Sequence, residues 1–357
     1  MTDAPTPIED LLVTLGLAHG SRPVHLTPGE AGSLLARPAF HGLTALLGAA
    51  VDTGDVRVDI ATSGEVTRGW AEAMARAVEL DGLLLEVCAA LAQAGIPTRV
   101  LKGAAVATLD EPDPAWRSYQ DVDVLVPANR LMAAADALAP LGLQPAVPPV
   151  RRGWADRHAK SLTLRHHSGM QVDLHRRLAG GPLGARIRTD ALFAGGDDLP
   201  VGTATLTALV AEHRFLHACY HAVLGGTRGP RHRRDVLLLA RRVSPEAVEH
   251  RWDEGWVSGV VAAALRWATA DGATAALPPA WTAWCERHDA DSAGADATPG
   301  FQAQARGELR LQRGLRAKWA YVWPLVWPSR AHLQARRRTR TSHLRRLART
   351  ALARRSP

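Results

Sequence analysis

At 357 residues the chain is long enough for two or three compact units, and its 46% apolar content is enough to bury a sizeable core. Its three cysteines, Cys88, Cys219 and Cys285, are too few and too scattered for a disulfide framework or a cysteine-built zinc site. The net charge of +8 is uneven: residues 301–357 carry 15 Lys or Arg against the single acid Glu308, a net +14, which leaves residues 1–300 at −6.

No basic-then-apolar leader opens the sequence, and no apolar run reaches the ~18–20 residues that span a bilayer, so a soluble cytoplasmic protein is expected. Residues 1–94 read as helical. From Trp70 to Ala94, Leu80, Leu84, Val87 and Leu91 recur at helical spacing, with Gly95 as a C-terminal cap and Pro97 preventing continuation. Ile96–Leu101 predicts a short strand, Lys102-Gly103 a turn, and Ala104–Leu109 a short helix. A Pro-containing loop, 111–115, leads to a β-branched strand at Asp121–Val126. Asn129–Leu141 predicts an amphipathic helix closed by Gly142. Ser161–Leu164 and Met170–Arg176 predict two strands joined at His167-Ser168-Gly169. Residues 203–285 read as helices again, including Leu206–Val223 and Ser258–Ala270. Asp289–Gly300 is a linker candidate. The tail holds a Trp-rich piece, Lys318–Pro328, whose Pro324 and Pro328 are expected to interrupt a helix, and an Arg-rich helix after Ser329.

These elements predict an α+β fold: a small mixed sheet with N- and C-terminal helical regions. The expected organisation is an N-terminal helical region at 1–94, a catalytic core at 95–180, and a C-terminal helical region at 181–288. A linker at 289–300 and a basic helical tail at 301–357 follow.

Asp121 and Asp123 are two apart on a strand, so both carboxylates project from one face. Adjacent carboxylates repel and need a cation to stay ionised together, and Mg²⁺ suits carboxylate and phosphate oxygens. Asp173 is a third carboxylate inside an apolar strand. Lys102-Gly103 opens a helix, where backbone N–H groups bind phosphate. Arg117, four residues before Asp121, can contact a triphosphate or lock a carboxylate. His158, His166, His167 and His175 are close in sequence, and His217 and His221 are spaced i, i+4 without the Glu of a His-Glu-x-x-His motif. No Walker loop, Gly-x-Ser-x-Gly or dinucleotide fingerprint is present.

Leu101-Lys102-Gly103, then Arg117-x-x-x-Asp121-x-Asp123-x-Leu125-Val126, then Val172-Asp173-Leu174-His175, together resemble the uncharacterised nucleotidyltransferase family of the DNA polymerase beta superfamily. Leu216–His221, Arg234–Leu238 and His41-Gly42 fit as well, so the resemblance covers roughly residues 35–285. It implies two Mg²⁺ ions, replaceable by Mn²⁺, held by Asp121, Asp123 and Asp173, with Asp173 also drawing a proton from the attacking hydroxyl. It implies nucleotide binding at Lys102, Gly103, Arg117 and Ser118. The activity implied is transfer of a nucleoside monophosphate from an NTP such as ATP to a hydroxyl or phosphate acceptor, with pyrophosphate leaving. The acceptor could be a small molecule, a peptide or protein, or an RNA such as tRNA. The alternative is a non-catalytic module binding nucleotide or RNA in the same cleft. Lys102-Gly103 stands where the superfamily usually carries Gly-Ser, and Arg176 stands where an aromatic residue is expected.

In the tail, Trp319, Trp323 and Trp327 recur every four residues. They can anchor at a membrane surface, stack on bases, or dock the tail on the body. The tail's charge points to a polyanionic partner, RNA first and anionic lipid second.

Overall fold

The computed structural model describes residues 7–17, 23–35, 42–224, 229–251, 255–270, 273, 276–288 and 301–352. The expected linker at 289–300 and His41 lie outside the described residues. In chain order the elements are α1 (Pro7–Thr14), β1 (Val24–His25), α2 (Pro28–Leu35), α3 (Thr44–Asp52), β2 (Val56–Arg57), α4 (Ile60–Gln93), β3 (Arg99–Val100), α5 (Lys102–Leu109) and β4 (Val122–Leu125). Then come α6 (Leu131–Leu138), β5 (Gln144–Pro145), α7 (Arg152–His158), β6 (Ser161–Arg165), β7 (Gln171–His175), α8 (Gly181–Arg186), β8 (Asp197–Val201), β9 (Ala204–Ala208), α9 (Ala211–Leu224) and α10 (Pro230–Ala240). The chain continues through α11 (Pro245–Arg251), α12 (Gly255–Thr269), α13 (Pro279–Arg287), α14 (Phe301–Leu311), α15 (Gly314–Val326), α16 (Arg330–Ala335) and α17 (Arg340–Leu352). This is the expected α+β class with a mixed sheet.

Helix α4 shows how local chemistry sets the ends. The Asp59 carboxylate accepts from the amides of Ala61 and Thr62, at 2.9 and 3.1 Å, and so caps the first turn. At the other end Gly95 adopts φ +64°, and the Ile96 amide donates back to the Leu91 carbonyl at 2.9 Å. The C-terminus falls where the sequence put it, while the helix begins ten residues earlier than Trp70.

The chain folds as two compact units, the first built from Met1–Leu85, Arg99–Val122 and Leu192–Pro299, the second from Glu86–Thr98, Asp123–Ala191 and Gly300–Pro357.

In the first unit, α1, α2 and α3 bury Leu12, Leu34, Leu43, Leu46 and Leu47 around Val56 and Val66. Strand β3 pairs parallel with β9, and β8 pairs antiparallel with β9 around Gly202, whose φ of +56° makes the turn. This hairpin corrects the helix expected from Leu206: residues 204–208 are strand, and α9 starts only at Ala211. A short run such as Leu206-Thr-Ala-Leu-Val210 fits either period, and the register Asp198↔Thr207 and Leu199↔Leu206 decides it.

A buried ionic layer runs through the same unit. Arg234 of α10 donates to both oxygens of Glu111, at 3.0 Å from Nε and 2.5 Å from Nη2. Its Nη1 reaches the carbonyls of Leu12, Val13 and Leu15 at 3.3, 3.2 and 3.0 Å. Arg214 of α9 grips Asp110 at 2.9 and 2.8 Å and Asp197 at 2.6 Å. Charges this deep are tolerated because each is paired and hydrogen-bonded.

In the second unit the strand order is β5-β6-β7-β4. Strands β6 and β7 are antiparallel, with Thr163 opposite Asp173 and the turn glycine Gly169 at φ +90°. The Val126 amide donates to the His175 carbonyl at 2.8 Å just past β4. Helix α6 buries Leu131, Met132 and Leu138, and Gly142 at φ +78° closes the turn that follows.

The tail docks on this unit. Glu308, its single acid, is 7% exposed and accepts from Arg177 and from Tyr321 Oη. Trp154 Nε1 donates to the Tyr321 carbonyl at 2.8 Å, and the Ser329 amide to the Val150 carbonyl at 2.9 Å. The expected interruption at Pro324 does not occur: α15 runs through it and caps beyond, with the Trp327 amide bonded to Trp323 O at 2.8 Å. A proline removes one ladder bond, and the buried Tyr321–Pro324 face offsets that loss.

Two outcomes are expected. Glu111→Gln leaves the Arg234 charge buried without its carboxylate, and should lower stability by about 3–5 kcal/mol in urea unfolding. A loss below about 1 kcal/mol would show that the carbonyls suffice. His232 of α10 is held neutral by burial, with its pKa lowered to about 4, and its Nδ1 accepts from the Gly229 amide at 3.3 Å. The unfolded imidazole binds its proton near 6.5, so stability is complete above that pH and falls as pH drops toward about 4, on the order of 3 kcal/mol. His232→Gln should flatten that slope in pH-dependent unfolding; an unchanged slope would assign it to other groups.

Candidate active site

The Asp123 side chain leaves β4 among buried neighbours, Val122, Val124 and Leu125, and is itself 5% exposed. On β7, Asp173 and His175 are two apart and share one face. Asp123, Asp173 and His175 each present a ligand atom, and these atoms all lie within 4.8 Å of one another. His175 Nε2 is 2.7 Å from Asp123 Oδ1, which fixes that carboxylate in place. Asp173 Oδ1 is buried without a hydrogen-bond partner among the described residues.

That oxygen is the test of whether a cation fits. A buried carboxylate oxygen without a donor is costly, and a metal ion satisfies it directly. Two carboxylates and one imidazole suit Mg²⁺ through oxygen and Mn²⁺ through oxygen and nitrogen. The residues present therefore fit a divalent ion.

Of the three expected carboxylates, this group includes Asp123 and Asp173. Asp121 is half-buried at the bend just before β4 and is not a member of it. His175 is the third residue of this group. The signal for His175 was its two-residue spacing from Asp173, which on a strand puts both on one face.

The remaining expected residues belong to the first unit. Lys102 has φ +37°, in the left-handed region that favours glycine, and Gly103 follows at φ 10° and ψ −104°. A side chain at Gly103 would meet the Tyr119 ring at 3.4 Å. Lys102 lines a cavity of about 20 Å³ with Arg214, His217, His221 and Asp235, room for about one water. The i, i+4 pair His217 and His221 thus faces one cavity, and His221 packs edge-on against His232 at 4.5 Å.

Arg117 and Ser118 are both buried. Arg117 grips Asp235 with two bonds of 2.5 and 3.0 Å. Burial opposes its charge, but Asp235, Glu111 and Asp110 outweigh burial and hold the guanidinium above its ordinary value. Burial likewise pushes Asp235 up, and Arg117 overcomes it, leaving the carboxyl at about 2.

The histidines that neighbour one another in sequence separate in space. His158 packs against Trp154 and Tyr321 with its pKa lowered to about 4, chiefly by burial. His166 and His167 lie against each other, ring centroids 3.8 Å apart and tilted by 48°, beside the Gly169 turn. Arg176, where an aromatic was expected, donates to the carbonyls of Ala128 and Ala159 at 2.9 and 3.1 Å. It ties the segment after β4 to the end of α7.

The antibiotic-resistance factor ANT(2'')-Ia is 15% identical over 48% of this chain and 88% of its own, with a TM-score of 0.37. An antigenic nucleotidyltransferase-like protein from Paracoccidioides brasiliensis is 15% identical over 50% of this chain and 81% of its own, with a TM-score of 0.33. No curated protein matches. Residues 28–268 match the family described as uncharacterised nucleotidyltransferase, which is more than half of the sequence, and the chain belongs to that family.

Proposed function

We propose that the protein is a divalent-metal-dependent enzyme that moves a nucleoside monophosphate from an NTP to a hydroxyl or phosphate acceptor, releasing pyrophosphate. The observation that carries this reading is the Asp123–Asp173–His175 group with its buried, undonated Asp173 oxygen.

Asp123 and Asp173 would hold the first ion and Asp121, with Asp123, a second; Mn²⁺ can replace Mg²⁺. Two bound ions supply electrostatic stabilisation to the attacking and leaving oxygens of an in-line displacement. The residues do the rest. Asp173 accepts the proton of the attacking hydroxyl, and His175 positions Asp123 through their 2.7 Å contact. The amides that open α5 and the Lys102 ammonium bind the NTP phosphates. Arg117 is committed to Asp235 and serves by fixing the segment that carries Ser118 and leads to Asp121. The acceptor is a small molecule, a peptide or an RNA, and the cytoplasm, with its NTP and Mg²⁺, is the proposed compartment.

The direct test is pyrophosphate release from each NTP with Mg²⁺ or Mn²⁺ and a fractionated cell extract as acceptor source. Asp123→Asn and Asp173→Asn should each lower turnover by about 10²–10³ while circular dichroism stays native. Wild-type rates in either variant would rule this site out. Lys102→Gly should relieve left-handed strain and raise the free energy of unfolding by roughly 1 kcal/mol, yet increase KM for NTP more than it lowers kcat. A stabilised variant with unchanged KM would make Lys102 structural.

A further inference from the structure

Helix α15 is amphipathic in the inverse sense. Tyr321 and Pro324 turn inward and are buried, while Leu315, Trp319 and Trp323, spaced by four, are 87%, 63% and 39% exposed. Trp327 extends the stripe, and Leu344 and Leu347 of α17 add exposed aliphatic surface in the same tail. Helix α17 is held near α15 by His343 Nε2, 3.0 Å from the Leu325 carbonyl, and by the Arg340 guanidinium, 4.3 Å from the Trp327 ring centroid. Arg313, Arg316, Lys318, Arg330, Arg336 and Arg337 are exposed around this surface. No helix among the described residues is long and apolar enough to cross a membrane.

We propose that this tryptophan-and-arginine surface docks on an anionic lipid bilayer, with α15 lying in the headgroup plane. Charge complementarity selects an anionic partner, since the tail's only acid, Glu308, is buried against Arg177. The ring geometry then selects lipid over single-stranded nucleic acid. Trp319 and Trp323 stack at 5.3 Å and 19°, and Trp323 and Trp327 at 6.1 Å and 9°. Their facing surfaces are covered by one another, and Trp327 also carries the Arg340 guanidinium. A base entering the stripe would have to part rings already stacked, and only the outer face of Trp319 stays open. The rest of the outward surface is ring edge and leucine, flanked by cations, which is the composition that partitions to the membrane interface.

The full chain is tested by co-sedimentation with phosphatidylcholine vesicles, with and without phosphatidylglycerol, at about 0.15 M salt. Binding to the anionic vesicles should be at least about tenfold tighter, because each basic side chain near the surface adds roughly fivefold. Brominated lipid should quench wild-type tryptophan emission. The Trp319→Ser/Trp323→Ser/Trp327→Ser variant should bind about tenfold or more weakly and lose that quenching. Leu315→Asp, at a fully solvated position, should also weaken binding and carries no folding risk of its own. Failure to bind anionic vesicles, equal binding to neutral ones, or unchanged binding by both variants would overturn the proposal. So would a tryptophan-dependent affinity for poly(U), or a tryptophan-dependent dimer in sedimentation equilibrium, without tryptophan-dependent vesicle binding. None of these readouts depends on turnover.

Discussion

The close approach of two carboxylates across neighbouring strands sets the terms for the rest of the second unit. Asp123 of β4 and Asp173 of β7 present ligand atoms within 4.8 Å of each other. Like charges that near each other raise the energy of the ionised pair, and burial raises it further. The unit meets the problem unevenly. Asp123 has the His175 imidazole at 2.7 Å, while Asp173 keeps one buried oxygen without a donor. The strands that carry the two acids are otherwise apolar, with Val122, Val124, Val172 and Leu174 buried beside them. The β6–β7 register, with Asp173 opposite Thr163, fixes which residues reach the site face.

The first unit solves a different electrostatic problem by different means. Its charges cancel in pairs: Arg117 with Asp235, Arg214 with Asp110, Arg234 with Glu111. Arg234 and Asp235 are adjacent on α10, so one helix clamps two loop positions, Glu111 and Arg117, on either side of a short Pro-containing segment. Such pairs add little net stability over apolar substitutes, but their hydrogen-bond geometry admits few alternatives. Their consequence is positional. The segment from Glu111 to Ser118 carries one short 3₁₀ turn, Pro114–Trp116, is anchored at Glu111 and Arg117 by buried ionic contacts, and leads directly to Asp121. Lys102 is strained in the same unit, with positive φ at the turn that opens α5.

The sequence was most informative where one period dominated. The end of α4 at Gly95, the strand at Val122–Leu125, the hairpin tip at Gly169 and the cap at Gly142 all follow from periodicity and glycine placement. Asp123 and Asp173 were legible because each is a charge inside an apolar strand. His175 shares the face of Asp173 by its two-residue spacing, but its contact with Asp123 depends on which strand lies beside β7. The hairpin at Asp197–Ala208 was missed because Leu206–Val210 satisfies both periods, and only pairing with β8 and β3 separates them. Arg117 was read as a phosphate contact or a carboxylate lock. Its partner Asp235 lies 118 positions away, and no local pattern announces a bond at that separation.

Glu308 makes the tail intelligible. A segment of such excess positive charge resists packing on itself, and one buried acid is enough to orient it only if that acid is met from both sides. Arg177 meets it from the body and Tyr321 from the tail's own next helix. Once Tyr321 is committed inward, helical spacing leaves no freedom for the rest of α15: Pro324 follows it inside, and Leu315, Trp319 and Trp323 must point out. The exposed aromatic stripe is therefore the geometric complement of the docking face, and no independent folding step is needed to produce it. Docking explains the inward half of the sequence. It does not explain the large apolar groups at Leu315, Trp319 and Trp323, where polar residues would serve solubility better. The proposed anionic partner on the outward side would account for that half, and the basic residues around it would specify the sign of that partner's charge.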